Sequence, residues 1–186
     1  LESNFISLQL DAFYNQSQYN QDGWAVVHYA EYMDSVYQTV FRSSNPANQD
    51  SLSYWPIMNS IFNDSTYSIG MSHIRTATSG ASQIPNPHPW IFQGEKTYSF
   101  VHNGGASKEV LYDLITNNGI DNSWLDQHPP QTFGAGYWND EGWSSVVDSE
   151  LIMLLIMQQI SQHGVVIDGL QSAFSMMIGA GINPYM

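Results

Sequence analysis

The chain has 186 residues, 42% apolar and 11% charged, which is enough to enclose one hydrophobic core and is unlike a disordered acidic tail. Four Lys and Arg against 17 Asp and Glu leave a formal charge of −13, which argues against a nucleic-acid or anionic-membrane partner and against a phosphate clamp of several bases. Cysteine is absent, which excludes disulfides, cysteine-ligated zinc, iron–sulfur clusters and a thiol nucleophile within these residues.

From Trp24 to Val40 the pattern is aromatic and β-branched, broken by Met33-Asp34-Ser35, and predicts a hairpin. Ser43 to Asp50, with Pro46 and several amides, reads as a loop. Ser51 or Ser53 then opens a short helix with Trp55, Ile57, Met58, Ile61 and Phe62 at helical spacing, stopped by Asn63-Asp64-Ser65. Tyr67 to Ile74 alternates and predicts a buried strand, and Thr78 to Pro89 carries too many Pro and Gly for regular structure. Trp90 to Phe92 and Thr97 to His102 return to strand character around a Gly94-Glu95-Lys96 turn.

Ser107 caps a helix with apolar positions Val110, Leu111, Leu114 and Ile115, ending at Asn117-Asn118-Gly119. Gly119 to Trp143 reads as a long irregular section. Ser145 and Asp148 have the spacing of a capping box opening an apolar, buried helix from Val147 to about His163, which Gly164 ends. A second helix, about Ile167 to Ile178, follows, and Met153, Met157, Met176 and Met177 are packing residues on this pair. No apolar run approaches the roughly 18 residues of a membrane span. Strands, helix, strands, helix and a helix pair suggest an α+β layered domain.

Four strings place polar groups at element ends: His73-Ile74-Arg75-Thr76-Ala77-Thr78-Ser79-Gly80, Asn86-Pro87-His88-Pro89, His102-Asn103-Gly104-Gly105 and Asp148-Ser149-Glu150. The planar fork of Arg75 suits either a substrate carboxylate or an ion pair with one of the acids. Asn103-Gly104 presents an amide and a backbone N–H to a developing oxyanion, or makes a tight turn. Asp148 stabilises a helix N-terminus or holds an ammonium group. His73, His88 and His102 brace loops or converge on a metal, although none has a paired ligand spacing. The tryptophans and tyrosines form core or a sugar-stacking face.

In their order along the chain, these strings together with Asp22-Gly23-Trp24 and Phe100-Val101-His102 resemble the class II glutamine amidotransferase domain of the N-terminal nucleophile hydrolases, from about residue 19 to 163. The resemblance implies a four-layer α-β-β-α sandwich of two antiparallel sheets. It implies that Arg75 binds the glutamine α-carboxylate, Asn103 and Gly104 form the oxyanion hole, Asp148 receives the α-ammonium, and His73, Thr78 and His88 brace the loops around the substrate. No cofactor is implied. The partners implied are glutamine or a related amino-acid amide and a synthetase domain or chain accepting ammonia. The resemblance suggests a cytoplasmic setting, while the Asn-, Gln-, Ser- and Tyr-rich composition has the flavour of exported proteins.

The family's nucleophile is an N-terminal Cys whose own amine is the base. Here Leu1 comes first, Ser3 lacks the free amine on its own residue, Asp22-Gly23-Trp24 comes early, and Ala25 stands where the family often has Gly. The expectation is a single domain over residues 1–186, incomplete at both ends, lacking the Cys segment and the closing strands. Such a chain binds glutamine but releases no ammonia by itself. The rival readings are a non-catalytic binding or structural protein on the same scaffold, and a metal-dependent hydrolase using the histidines.

Overall fold

Residues 2–33, 35–63, 67–80, 86–131 and 138–183 are described by the computed structural model. The chain forms two units, one of Leu1–Ala77 with Ala81–Pro89 and the other of Thr78–Gly80 with Trp90–Met186. Both combine helices with an antiparallel sheet, so the protein is of the α+β class.

In the first unit β1 (Trp24–Tyr32) and β2 (Ser35–Ser43) form the expected hairpin, with Trp24 opposite Ser43 and Tyr32 opposite Ser35. Met33 at the turn has φ 50°, and Asp34 lies outside the described residues. β3 (Tyr67–Ile74) pairs with the other side of β1, giving the order β2-β1-β3. The central strand is buried through Trp24, Ala25, Val26 and Val27, as a near-continuous apolar run requires. The expectation of a buried strand at β3 holds at its C-terminal end. His73 and Ile74 are buried, while Ile69 is 64% exposed, because β3 is an edge strand of the described sheet.

α2 (Ser51–Asn63) follows its prediction, although Asp64 and Ser65 lie outside the described residues. Its Tyr54 and Met58 join Trp24, Val26 and Ile74 in one core. Tyr54 meets Trp24 edge-on at 5.0 Å between ring centroids and donates from its hydroxyl to Leu10 O at 2.9 Å. Burial, with Asp11 and Tyr14 nearby, pushes the Tyr54 phenol well above its ordinary range, so it remains a donor. Leu10 belongs to α1 (Glu2–Gln16), which the sequence reading leaves unassigned. Leu10, Phe13 and Tyr14 pack on the core at helical spacing, and that spacing was the available signal.

The second unit holds the hairpin β4 (Trp90–Gln93) and β5 (Thr97–Phe100), with Trp90 opposite Phe100. α3 (Lys108–Thr116) is capped as predicted, Ser107 accepting from Val110 N, and ends at left-handed Asn117. The predicted irregular stretch contains a short helix, α4 (Ser123–Gln127), whose Trp124 indole donates to Leu154 O at 3.0 Å. Residues 132–137 of that stretch lie outside the described ones.

α5 (Asp148–His163) is buried at every position from Asp148 to Ile160, and Gly164 caps its C-terminus in the left-handed region. Leu151, Leu155 and Val146 join Leu111, Ile115 and Leu125 in the core of this unit, each large aliphatic side chain contributing roughly 1.5–3 kcal/mol when fully buried. α6 (Val166–Gly179) crosses α5 closely: a Cβ on Gly169 would stand 2.6 Å from Ile160 N. The late methionines pack as expected, Met153, Met157 and Met177 inside the core and Met176 against it. Trp24, Trp90 and Trp138 are likewise buried, which favours the core reading of the aromatic residues. Among the described residues no helix is long and apolar enough to cross a membrane.

Candidate functional site

Three of the sequence strings meet at one end of the first unit's sheet. There β1 begins at Trp24 opposite both Ser43 and Ile74, so the chain enters through Asp22-Gly23 where it leaves through Ser44 and Arg75. Arg75 N donates to Gly23 O at 2.9 Å, Asp22 N donates to Arg75 O at 3.0 Å, and Ala77 N donates to the Asp22 carboxylate at 2.7 Å. These bonds continue the strand pairing by two residues and fix the backbone of Arg75, whose side chain is 3% exposed.

Gly23 is required here. Its φ is 103°, and a Cβ would collide with Ser43 O and approach Pro87 Cγ to 2.8 Å. The Asn86-Pro87-His88-Pro89 string is held by a second cation, Arg42, which donates from Nε to Pro87 O at 3.1 Å and from Nη2 to Pro89 O at 2.7 Å. His88 is buried with its ring centroid 4.4 Å from that of buried His73. Arg42 was not singled out from the sequence. The acceptors of these two bonds are main-chain carbonyls, which leave no residue signature.

The other strings meet in the second unit. Asp148 is 4% exposed, and its two carboxylate oxygens have different partners. Ser79 Oγ donates to Oδ1 at 2.9 Å, and Ala106 N donates to Oδ2 at 2.9 Å. The predicted capping box is not formed. The N-cap is Val147, without a side-chain cap, and Ser145 belongs to a 3₁₀ turn at Trp143–Ser145. The carboxylate of Asp148 is drawn instead to the Ser79 hydroxyl and the Ala106 N–H, which are distant in sequence. A carboxylate has about four acceptor positions, so capacity remains for a further donor.

The loop tied down by Ala106 is the one carrying Asn103 and Gly104, both exposed. His102 is partly buried beside them. Burial holds its imidazole below the ordinary 6.5, partly offset by the attraction of the Asp148 carboxylate. Lys108, at the start of α3, donates to Trp143 O at 2.9 Å and Val146 O at 3.0 Å, bracing the approach to α5. Its ammonium also stands 5.0 Å from the Trp143 ring centroid. Buried Glu150 accepts from Gln131 N, so the acids at both ends of the Asp148-Ser149-Glu150 string organise loops.

The geometry therefore groups Arg75, His73 and His88 in the first unit, and Asp148, Ser79, His102, Asn103 and Gly104 in the second. Thr78 begins the second unit's short segment and is exposed, while its neighbour Ser79 makes the contact with Asp148. Ser79 lies within the His73 to Gly80 string. Its hydroxyl chemistry was visible, its partner was not. Among the described residues no group of three or more His, Asp or Glu side chains could hold a metal ion.

A stretch of 100 residues, 53% of this chain, is 25% identical to an uncharacterized protein of Methanocaldococcus jannaschii and covers 26% of that protein's length. Residues 3–116 match the family model described as class II glutamine amidotransferases. That span includes the Asp22-Gly23-Trp24, Arg75, Asn86-Pro87-His88-Pro89 and Asn103-Gly104 strings, and the chain belongs to the class II glutamine amidotransferase family.

Proposed function

We propose that this chain is the glutamine-recognising part of a domain that hydrolyses the side-chain amide of glutamine to glutamate and ammonia. The observation that carries the reading is the doubly held carboxylate of Asp148, tied through Ala106 N to the loop of Asn103 and Gly104. A buried anion with acceptor capacity left over, beside a loop offering an amide and a backbone N–H, suits a substrate that has an ammonium group and a carboxamide.

Arg75 takes the α-carboxylate through its planar guanidinium, and Asp148 takes the α-ammonium. Asn103 and Gly104 stabilise the tetrahedral oxyanion formed when the amide carbon is attacked. His73, Thr78 and His88 brace the loops around the substrate. The 186 residues contain no cysteine, so what they supply is recognition and charge stabilisation, and hydrolysis requires an N-terminal Cys nucleophile. A synthetase domain or partner chain receives the ammonia.

Isothermal titration calorimetry with glutamine and glutamate tests the recognition. Binding that is lost in both Arg75→Ala and Asp148→Ala, while both variants remain folded by circular dichroism, supports the reading. Binding that neither substitution alters removes the pocket assignment. Ammonia release from glutamine by these 186 residues alone would contradict the requirement for the Cys.

A further inference from the structure

Residues of the last turn of α3, with others from α5 and α6, line a cleft of about 520 Å³ inside the second unit. None of the side chains given a role in glutamine recognition belongs to it. A helix C-terminus carries the partial negative charge of its open carbonyls and is favourably met by a basic side chain. The last turn of α3 has none, and the cleft wall holds two carboxylates, Asp113 and Asp121, with no Lys, Arg or His.

Backbone bonds keep both acids at that terminus. Asn118 N donates to Asp113 O and Asp121 N to Thr116 O, each at 2.8 Å. Ser123 donates to the Asp121 carboxylate, from its backbone N to Oδ1 at 2.9 Å, and these bonds hold the carboxyl below the ordinary carboxylate range. The carboxylate of Asp113 makes no hydrogen bond or ion pair among the described residues.

The same wall carries an open acceptor on a buried side chain. Gln158 of α5 is 9% exposed and donates from Nε2 to Ile115 O, in the last turn of α3, at 2.9 Å. That bond fixes the amide and leaves Oε1 at the cleft without a donor among the described residues. Its neighbour Gln159 is satisfied within the protein, accepting from Ser172 Oγ at 2.7 Å and donating to Gln162 Oε1 at 3.1 Å. The volume is that of a small-molecule site and far exceeds one ion. Leu114 and Met176 add apolar surface to the wall.

We propose that this cleft binds a small aliphatic diamine, its ammonium groups held by Asp113, Asp121 and the Gln158 carbonyl, and its methylene chain lying on Leu114 and Met176. An ammonium brings three donors and no acceptor, which matches a wall of acceptors. Two charges on one flexible chain answer two carboxylates at once.

Titration of the isotope-labelled 186-residue chain with cadaverine, followed by NMR, tests this. Saturable shifts are expected at the Gln158 side-chain amide and the backbone amides of the α3 terminus. Pentylamine binds more weakly, and uncharged pentanol leaves these signals in place. Asp113→Asn combined with Asp121→Asn weakens cadaverine binding about tenfold or more, the size of one charge-assisted hydrogen bond. Glu95→Gln combined with Asp126→Asn removes the same charge outside the cleft and changes affinity less than about twofold, because exposed distant charges are screened. All four positions are exposed, so both variants keep the fold. Equal losses in the two double variants would reduce the effect to general attraction by a chain of charge −13 and overturn the proposal. Pentylamine or pentanol binding as tightly as cadaverine, or an unmoved Gln158 amide, would overturn it too. No glutamine is present, so the outcome is independent of the amide-hydrolysis reading.

Discussion

The backbone N–H of Ala106 donates a 2.9 Å hydrogen bond to Oδ2 of Asp148, which fastens the loop after Asn103-Gly104 to the first turn of α5. The other oxygen of the same carboxylate holds Ser79. One buried side chain thus sets two loops, and its removal has separable structural and electrostatic effects.

Asp148→Ala leaves the Ala106 N–H and the Ser79 hydroxyl without their acceptor and is expected to cost about 2 kcal/mol or more of stability. Asp148→Asn keeps an acceptor for Ala106 and a donor for Ser79 while removing the charge, so its cost stays below about 1 kcal/mol. Urea unfolding measures both. On the proposed reading the Asn variant nevertheless loses glutamine affinity, and an Asn variant that binds like wild type would separate Asp148 from the substrate ammonium.

Arg75→Lys keeps the charge but replaces a planar fork by a single ammonium. Glutamine affinity is expected to fall about tenfold or more, the size of one lost charge-assisted hydrogen bond. Calorimetry against an amino-acid amide lacking the α-carboxylate gives the control: that ligand binds the wild type and the Lys variant alike.

His102 supplies a pH dependence. Burial lowers its pKa in the folded chain below the ordinary 6.5, so between those two values the unfolded chain carries more protons than the folded one. Its contribution to stability is full above 6.5 and is lost as pH falls through the folded value. His102→Gln should flatten that part of the stability profile. Asp148→Asn removes the opposing attraction and should lower the His102 midpoint further, as followed by NMR titration of the ring protons.

Two glycines are expected to resist Ala for different reasons. Gly169→Ala forces a methyl against Ile160 N at the crossing of α5 and α6, costing about 1–3 kcal/mol as overpacking. Gly23→Ala meets both a positive φ and the Ser43 carbonyl, with about 1–3 kcal/mol from the backbone alone. Thermal denaturation of each variant checks these losses, and a wild-type midpoint in either would refute the close approach.

The sequence by itself determined most of the elements, because hydrophobic period and punctuation are local properties of the chain. The Trp24 hairpin, α2, the Gly94-Glu95-Lys96 hairpin and the Ser107-capped helix all follow from spacing and turn chemistry. The length of α5 was legible for the same reason, since an apolar run ending at Gly164 has one stop signal. The order of the polar strings also carried the family, as the match over residues 3–116 bears out. The helix α1 was missed despite the spacing of Leu10, Phe13 and Tyr14, because amides and hydroxyls dilute its pattern.

Tertiary structure alone decided the partners. Ser145 and Asp148 had the spacing of a capping box, yet the carboxylate is bound by a hydroxyl 69 positions away and a backbone N–H 42 positions away. Arg42 grips carbonyls of Pro87 and Pro89, which no residue pattern encodes. Spacing along a chain fixes which way a side chain leaves its own helix or strand. What it meets there is set by the long-range packing of other segments, and with it the hydrogen bonds and charge state on which chemistry depends.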